Sequence, residues 1–305
     1  MSSKKLIVVV GPTAIGKTTL AIALAKHFKT HIISSDSRQF FKEMRIGTAV
    51  PTDEELATAP HHFIQHISIQ QSYSVGDFEK DALDFLKKWF REHDYAILVG
   101  GSGLYTDAVV YGLDEFPDVL PNVREELNAI LENEGIKSLQ KELFEKDPDY
   151  YNKVDLLNPH RIIRALEIIR SSNQPFSSFL KRDTSKRPFD SIYVGINADR
   201  EVIYDRINLR VDKMMAEGLL EEAKSLYTHR ELNALQTVGY KELFQFFDGD
   251  ITLDFAVSEI KKNTRRFAKR QLTWLRKNPN ILWVEHDYEI TQLIQEITNK
   301  INSSD

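Results

Sequence analysis

The run Leu6-Ile7-Val8-Val9-Val10-Gly11-Pro12-Thr13-Ala14-Ile15-Gly16-Lys17-Thr18 decides the fold. Its first five residues are continuously apolar and mostly β-branched, the pattern of a parallel strand buried on both faces. The next eight match G-x-x-x-x-G-K-[ST], a phosphate-cradling loop. Gly11 and Gly16 permit backbone angles that turn successive N–H groups toward an anion. A helix beginning at the loop's end adds partial positive charge. Lys17 supplies a full charge, and the Thr18 hydroxyl can ligate Mg²⁺. The whole loop, Gly11, Pro12, Thr13, Ala14, Ile15, Gly16, Lys17 and Thr18, is therefore read as the seat of a diphosphate or triphosphate. ATP, GTP or another diphosphate ester would suit it equally.

Outward from the loop, residues 18–28 are rich in Ala and Leu at helical spacing. Short strands follow at 31–34 and 96–99, with helical periodicity over 75–93 between them. Alternating strands and helices predict a parallel sheet covered on both faces. Pro117 and Pro121 then break the chain, and the pattern is helical to about 169, with an irregular stretch over 171–188. A strand resumes at 191–196, helices are expected over 204–227 (interrupted by Gly218) and 255–276, and 281–284 suits an edge strand. The expected fold is α/β: a P-loop NTPase-like parallel-sheet core from 1–112 and 190–305, with a helical insertion at 113–189.

The chain has 305 residues, 28% of them charged, and no cysteine. Disulfides, iron–sulfur clusters and thiolate zinc sites are excluded. The apolar run at 6–10 is too short for a signal peptide, and no stretch approaches the roughly 20 apolar residues of a membrane-spanning helix. A soluble, cytoplasmic protein is expected. The net charge of −5 argues weakly against a nucleic-acid partner. The distribution is uneven, however. Lys261, Lys262, Arg265, Arg266, Lys269, Arg270, Arg276 and Lys277 fall within 260–277 with no acid among them. Like charges at i, i+4 cost helix stability, and an RNA backbone would compensate them. Phe267, Leu272 and Trp274 on the same helix are expected to pack in the core.

A phosphate loop used for chemistry needs an acid nearby. Asp36, just after the second strand, stands where α/β sheets place their ligands and can serve as a general base. An Asp in a Ser-rich turn can equally be a turn residue. Ser102, in the glycine-rich turn after the strand at 96–99, can hydrogen-bond a phosphate or cap the next helix. Arg206 and Arg210 share a helix face and either close over phosphates or pair with acids such as Glu201. His61 and His62 could bind a metal, although a structural role is the simpler reading.

Six segments in order carry a resemblance: 11–18; Asp36-Ser37-Arg38-Gln39 continuing to Ile46-Gly47-Thr48-Ala49; 100–105; Pro159-His160-Arg161-Ile162-Ile163-Arg164-Ala165-Leu166-Glu167; Val238-Gly239-Tyr240-Lys241-Glu242; and 264–275. Together they resemble the bacterial tRNA dimethylallyltransferases over nearly the whole chain. The resemblance implies transfer of a dimethylallyl group from dimethylallyl diphosphate to N6 of adenosine 37, beside the tRNA anticodon. The loop would hold the donor's diphosphate, with Mg²⁺ as cofactor, and Lys17, Asp36 and Ser102 would be catalytic. Asp36 matches the base that takes the N6 proton. Ser102 stands where the family usually has Thr and keeps the hydroxyl. Ser37, Arg38 and Gln39, with Asp36 and Ser102, match the segment contacting the target adenosine. Arg124, His160, Arg161, Ile162, Ile163 and Arg164 match tRNA-contacting positions of the insertion. Arg265, Arg266, Lys269 and Arg270 are expected on the tRNA backbone, with Arg206 and Arg210 on the diphosphate. Ile15 departs from the family's usual Ser. The implied partner is the tRNA anticodon stem-loop, and nothing in the sequence demands more than a monomer.

Three rivals remain open: a prenyltransferase acting on free AMP, ADP or ATP, a P-loop kinase, and an RNA-binding protein that uses nucleotide only as a switch. A mononucleotide needs neither a helical insertion nor a basic helix, which weighs against the first.

Overall fold

The computed structural model describes residues 4–180 and 187–302. Six parallel strands form one sheet in the order β3-β2-β4-β1-β5-β6. The chain reaches it through β1 (Lys5–Val10), α1 (Lys17–Phe28), β2 (Ile32–Ser34), α2 (Asp53–Thr58), β3 (His61–His62), α3 (Val75–Trp89), β4 (Tyr95–Val99) and α4 (Gly103–Tyr111). Four helices follow: α5 (Val123–Glu134), α6 (Ile136–Lys146), α7 (Pro148–Tyr151) and α8 (Pro159–Ser172). The sheet resumes with β5 (Asp190–Asn197), continues through α9 (Arg200–Ala216), α10 (Leu219–Leu226), α11 (Tyr240–Asp248) and α12 (Leu253–Leu275), and closes with β6 (Leu282–Glu285) and α13 (Ile290–Asn302).

β1 lies between β4 and β5, and its apolar residues are almost fully buried: Leu6 through Val9 at 0% exposure and Val10 at 1%. Alternate residues serve opposite faces, as a strand's two-residue period requires. Leu6, Val8 and Val10 join the core with α3 and α11, while Ile7 and Val9 join the one with α1 and α13. This burial on both faces is the reason the strand reads as an unbroken apolar run.

The chain divides into two compact units, residues 1–111 with 186–305, and residues 112–185. The second is helical, with its own core of Leu127, Leu139, Leu143, Ile162, Ala165 and Leu166, all at 0% exposure. Asp147, buried beneath it, accepts hydrogen bonds from Tyr150 N–H at 3.0 Å and from Ser177 N–H at 2.7 Å. The expected helix at 204–227 is two helices, α9 and α10, broken where Gly218 takes φ of 102°. Strand β3 and helix α2 were invisible to periodicity because each is so short. Among the described residues, no helix is long and apolar enough to cross a membrane.

Candidate active site

The phosphate loop joins β1 to α1, and its geometry follows from a few residues. Gly16 is the N-cap of α1 with φ of 105°, an angle that L side chains rarely adopt. Ala14 also takes a positive φ, 66°, and leaves its carbonyl to accept the Arg206 Nε–H at 2.9 Å. Ile15 is 2% exposed and packs into the core beneath the loop, which gives its apolar side chain a place there. Lys17 Nζ donates to Pro12 O at 2.8 Å and is thereby held over the loop.

The loop forms one wall of a cleft of about 850 Å³, also lined by Asp36, Gln39, Arg206, Arg210, Phe267 and Gln271. Burial pulls Lys17 down to about 8, against the pull of the Asp36 carboxylate and with the push of Arg210. Burial likewise lowers Arg210, opposed by Asp36 and Glu55. Asp36 thus faces two cations across the cleft, and an anion placed among them would hold both lysine and arginine protonated.

Asp36 follows β2. Its Oδ1 accepts the Arg38 N–H at 3.1 Å and its own carbonyl accepts the Gln39 N–H at 3.0 Å, which fixes the turn. Arg38 Nη1 donates to the carbonyls of Asn233 and Ala234 at 3.1 and 3.0 Å. Gln39 Nε2 donates to Ala49 O at 3.0 Å, and its Oε1 accepts from Ser34 Oγ at 3.1 Å. Arg38 and Gln39 therefore hold the wall of the cleft together. Ser102 lies in the turn leading into α4, where its carbonyl accepts the Thr106 N–H at 3.1 Å.

Two contacts went unread in the sequence. Gln271 on α12 accepts the Thr13 N–H at 2.9 Å and donates to Gly101 O at 2.8 Å, stitching the phosphate loop to the β4–α4 turn. A Cβ at Gly101 would stand 2.2 Å from Gln271 Nε2, so only glycine admits this approach. Glu222 accepts the N–H groups of Arg45, Ile46 and Gly47 at 2.8–3.0 Å, and the Tyr240 hydroxyl at 2.7 Å. A Cβ at Gly47 would lie 2.7 Å from the Tyr240 ring. The Ile46–Ala49 and Val238–Glu242 segments are thus one interlocked support. Both segments stood out in the sequence as parts of the resemblance, but nothing in it linked them to each other or to Glu222.

On α12, Arg266, Lys269 and Arg270 are exposed, while Arg265 Nη1 donates to Asn208 Oδ1 at 2.7 Å and lies over the Tyr204 ring. Lys261 pairs with Asp212 at 2.6 Å, so acids from elsewhere offset part of the like charge. The core expectation fails for Phe267 and Trp274, both 40% exposed; Phe267 instead lines the cleft with Arg270 stacked over it. Leu272 is partly buried against the core, as expected.

In the helical unit, His160, Arg161 and Arg164 are exposed at the start of α8. Ile162 and Ile163 are 0% and 4% exposed and sit in that unit's core, so their side chains pack within the unit. Helical periodicity explains it: Ile162 and Ile163 fall on the buried side of α8 with Leu166 and Ile169, while Arg161 and Arg164 share the exposed side at i, i+3. Arg124 makes a bidentate pair with the buried Glu167, and Arg164 approaches the same carboxylate at 3.5 Å.

Among the described residues no group of three or more His, Cys, Asp or Glu could cage a metal. The cleft carries carboxylates at Asp36, Asp53, Glu55 and Glu217, and the Thr18 hydroxyl of the phosphate loop with Asp36 is the pair that would hold Mg²⁺. Such a sparse set fits an ion that keeps its waters and leans on substrate phosphates.

Residues 39–278 match the family model described as IPP transferase. A tRNA dimethylallyltransferase from Christiangramia forsetii is 60% identical over 99% of this chain and 100% of its own length. Another from Flavobacterium johnsoniae is 55% identical over 99% of each chain. Among solved structures, the tRNA isopentenylpyrophosphate transferase of Bacillus halodurans superposes with a TM-score of 0.73 at 38% identity, covering 98% of this chain and 96% of that one. A eukaryotic dimethylallyltransferase acting on tRNA gives 0.85 at 26% identity, covering 99% and 80%.

Proposed function

The chain belongs to the IPP transferase family, and from that premise we propose that it is a tRNA dimethylallyltransferase, moving the dimethylallyl group of dimethylallyl diphosphate to N6 of adenosine 37 in tRNA. The observation that carries this reading is Asp36 facing Lys17 and Arg210 across one cleft, a proton acceptor opposite an anion cradle.

In the reaction the C–O bond between the prenyl carbon and the diphosphate breaks and an N6–C bond forms. The loop amides, Lys17, Arg206 and Arg210 take the charge that develops on the departing diphosphate. Asp36 takes the proton that N6 sheds. Ser102, in the turn before α4, is the hydroxyl that the family resemblance assigns to this step. Thr18 would hold Mg²⁺, which would supply further charge neutralisation at the diphosphate. The target base must leave its stack to reach Asp36, a cost of a few kcal/mol that backbone contacts offset. Exposed Arg266, Lys269 and Arg270 suit the phosphates of the anticodon stem-loop. His160, Arg161 and Arg164 suit it independently from the helical unit.

The test is mass transfer. The protein is incubated with Mg²⁺, dimethylallyl diphosphate and unmodified bacterial tRNA, and the digested nucleosides are weighed. A prenylated adenosine is expected. Product on free AMP alone would replace this reading with a mononucleotide prenyltransferase, and ATP-dependent phosphoryl transfer without prenylation would replace it with a kinase.

A further inference from the structure

His61 stands at the start of β3 with one ring nitrogen spoken for and the other bare. Nδ1 lies 2.7 Å from Ala59 O. A carbonyl oxygen only accepts, so Nδ1 carries the proton and, in the neutral ring, Nε2 is an acceptor. That Nε2 is buried and has no hydrogen-bond partner among the described residues. An unpaired buried acceptor is costly enough to need an explanation.

The explanation is beside it. His61 lines a small cavity of about 30 Å³, together with Lys17, Thr18, Ser34 and Asp36, at the inner end of the phosphate cleft. That volume holds about one or two waters. Among the residues around the cavity, His61 and Asp36 carry acceptors, Lys17 carries the positive charge, and Thr18, Ser34 and Gln39 add further polar groups. A water satisfies all three demands: it donates one hydrogen to each acceptor and turns a lone pair toward positive charge.

We propose that His61 is a positioning residue: its Nε2 fixes a water between itself and Asp36, and that water is one of those completing the Mg²⁺ shell next to Thr18. The proposal rests on the reading of the loop as a diphosphate site, and it gives the sequence's first adjacent histidine a task that its neighbour lacks. His62 turns instead to His31, with Nε2 2.9 Å from His31 Nδ1. A partner that orients a metal's ligand commonly changes metal affinity by about 10- to 100-fold when removed.

The experiment measures Mn²⁺ binding to the intact protein in the presence of inorganic diphosphate, by the electron-spin-resonance signal of free Mn²⁺, with no turnover involved. His61→Ala is expected to weaken Mn²⁺ binding about tenfold. His61→Gln, whose amide oxygen still accepts a hydrogen bond, is expected to stay within about threefold of the parent. An unchanged His61→Ala, with the parent protein binding Mn²⁺–diphosphate normally, overturns the inference and leaves the diphosphate reading standing. Equal losses in both variants accompanied by equal falls in melting temperature also overturn it, because packing would then be the cause. A parent protein that binds no Mn²⁺–diphosphate removes the diphosphate reading and this inference together.

Discussion

The backbone N–H of Thr13 donates to the side-chain oxygen of Gln271 at 2.9 Å across a sequence separation of 258 residues. Gln271 Nε2 in turn donates to Gly101 O at 2.8 Å, so one side chain sets both the phosphate loop and the turn after β4. Gln271→Leu leaves the Thr13 donor and the Gly101 acceptor without partners, a loss of about 1–2 kcal/mol. KM for dimethylallyl diphosphate is expected to rise about tenfold, with a much smaller change in the KM for tRNA. Steady-state kinetics with each substrate varied checks this, and an unchanged donor KM would mean that the loop holds its shape alone.

Asp36→Ala removes the proton acceptor while leaving the loop amides, Lys17 and the basic face of α12 in place. Prenyl transfer is expected to fall by about 10²- to 10⁴-fold. Binding of tRNA, followed by filter retention or fluorescence anisotropy, is expected to stay within about threefold. A variant that keeps full transfer would end the assignment of Asp36 as base.

Lys17 gives a pH signature. Burial depresses it to about 8, so in the empty cleft its charge, and with it the attraction for diphosphate, fades as pH rises through that value. Isothermal titration with dimethylallyl diphosphate should show affinity falling above pH 8 by up to about tenfold per pH unit. Lys17→Arg keeps its charge throughout, and its profile should be flatter over the same range. Parallel profiles for the two proteins would remove Lys17 as the titrating group.

The His31–His62 pair gives a second. Burial, with His31 and His61 adding to it, holds His62 at about 4, below the ordinary 6.5. The unfolded chain therefore binds that proton more readily. The contribution to stability is complete above about 6.5 and is lost as pH falls through about 4. The loss is about 1 kcal/mol once solvent screening of a half-exposed ring is allowed for. Thermal melts between pH 7 and 4 measure it, and His62→Phe should reduce the slope across this window.

Arg124 separates stability from recognition. It pairs with Glu167, which is 1% exposed, and Arg124→Ala leaves that carboxylate only Arg164 at 3.5 Å. A loss of about 1–3 kcal/mol is expected, read as a lower urea midpoint. A Glu167→Gln/Arg124→Ala double variant should regain part of it. If stability is unchanged and only tRNA affinity drops, Arg124 acts on the RNA directly.

How much of this was readable depends on what each residue answers to. Residues 6–18 were legible because strand burial on two faces and an anion cradle each leave a local pattern. Strand β3 was not: two residues carry no period, and only pairing of Ile32 with His61 and Ile33 with His62 makes them a strand. Gln271 and Glu222 were missed because a neutral or acidic side chain that serves backbone N–H groups looks the same in sequence as a solvated one. Phe267 was misassigned for the converse reason. Its apolarity announced burial, but periodicity names a face without saying whether protein or cleft lies opposite. Ile162 and Ile163 show the limit of carrying a motif over whole: its residues share a helix but not a direction.

The placement of β1 between β4 and β5 has a consequence for how the protein is made. Lys5 sits opposite Asp190 in the register, so the strand bearing the phosphate loop closes on its second side only after β5 has been synthesised. At common elongation rates that interval is roughly 10–40 s. Throughout it, one edge of an unbroken aliphatic segment stays open on the ribosome. The segment most committed to the folded state is therefore the nascent chain's main claim on chaperones.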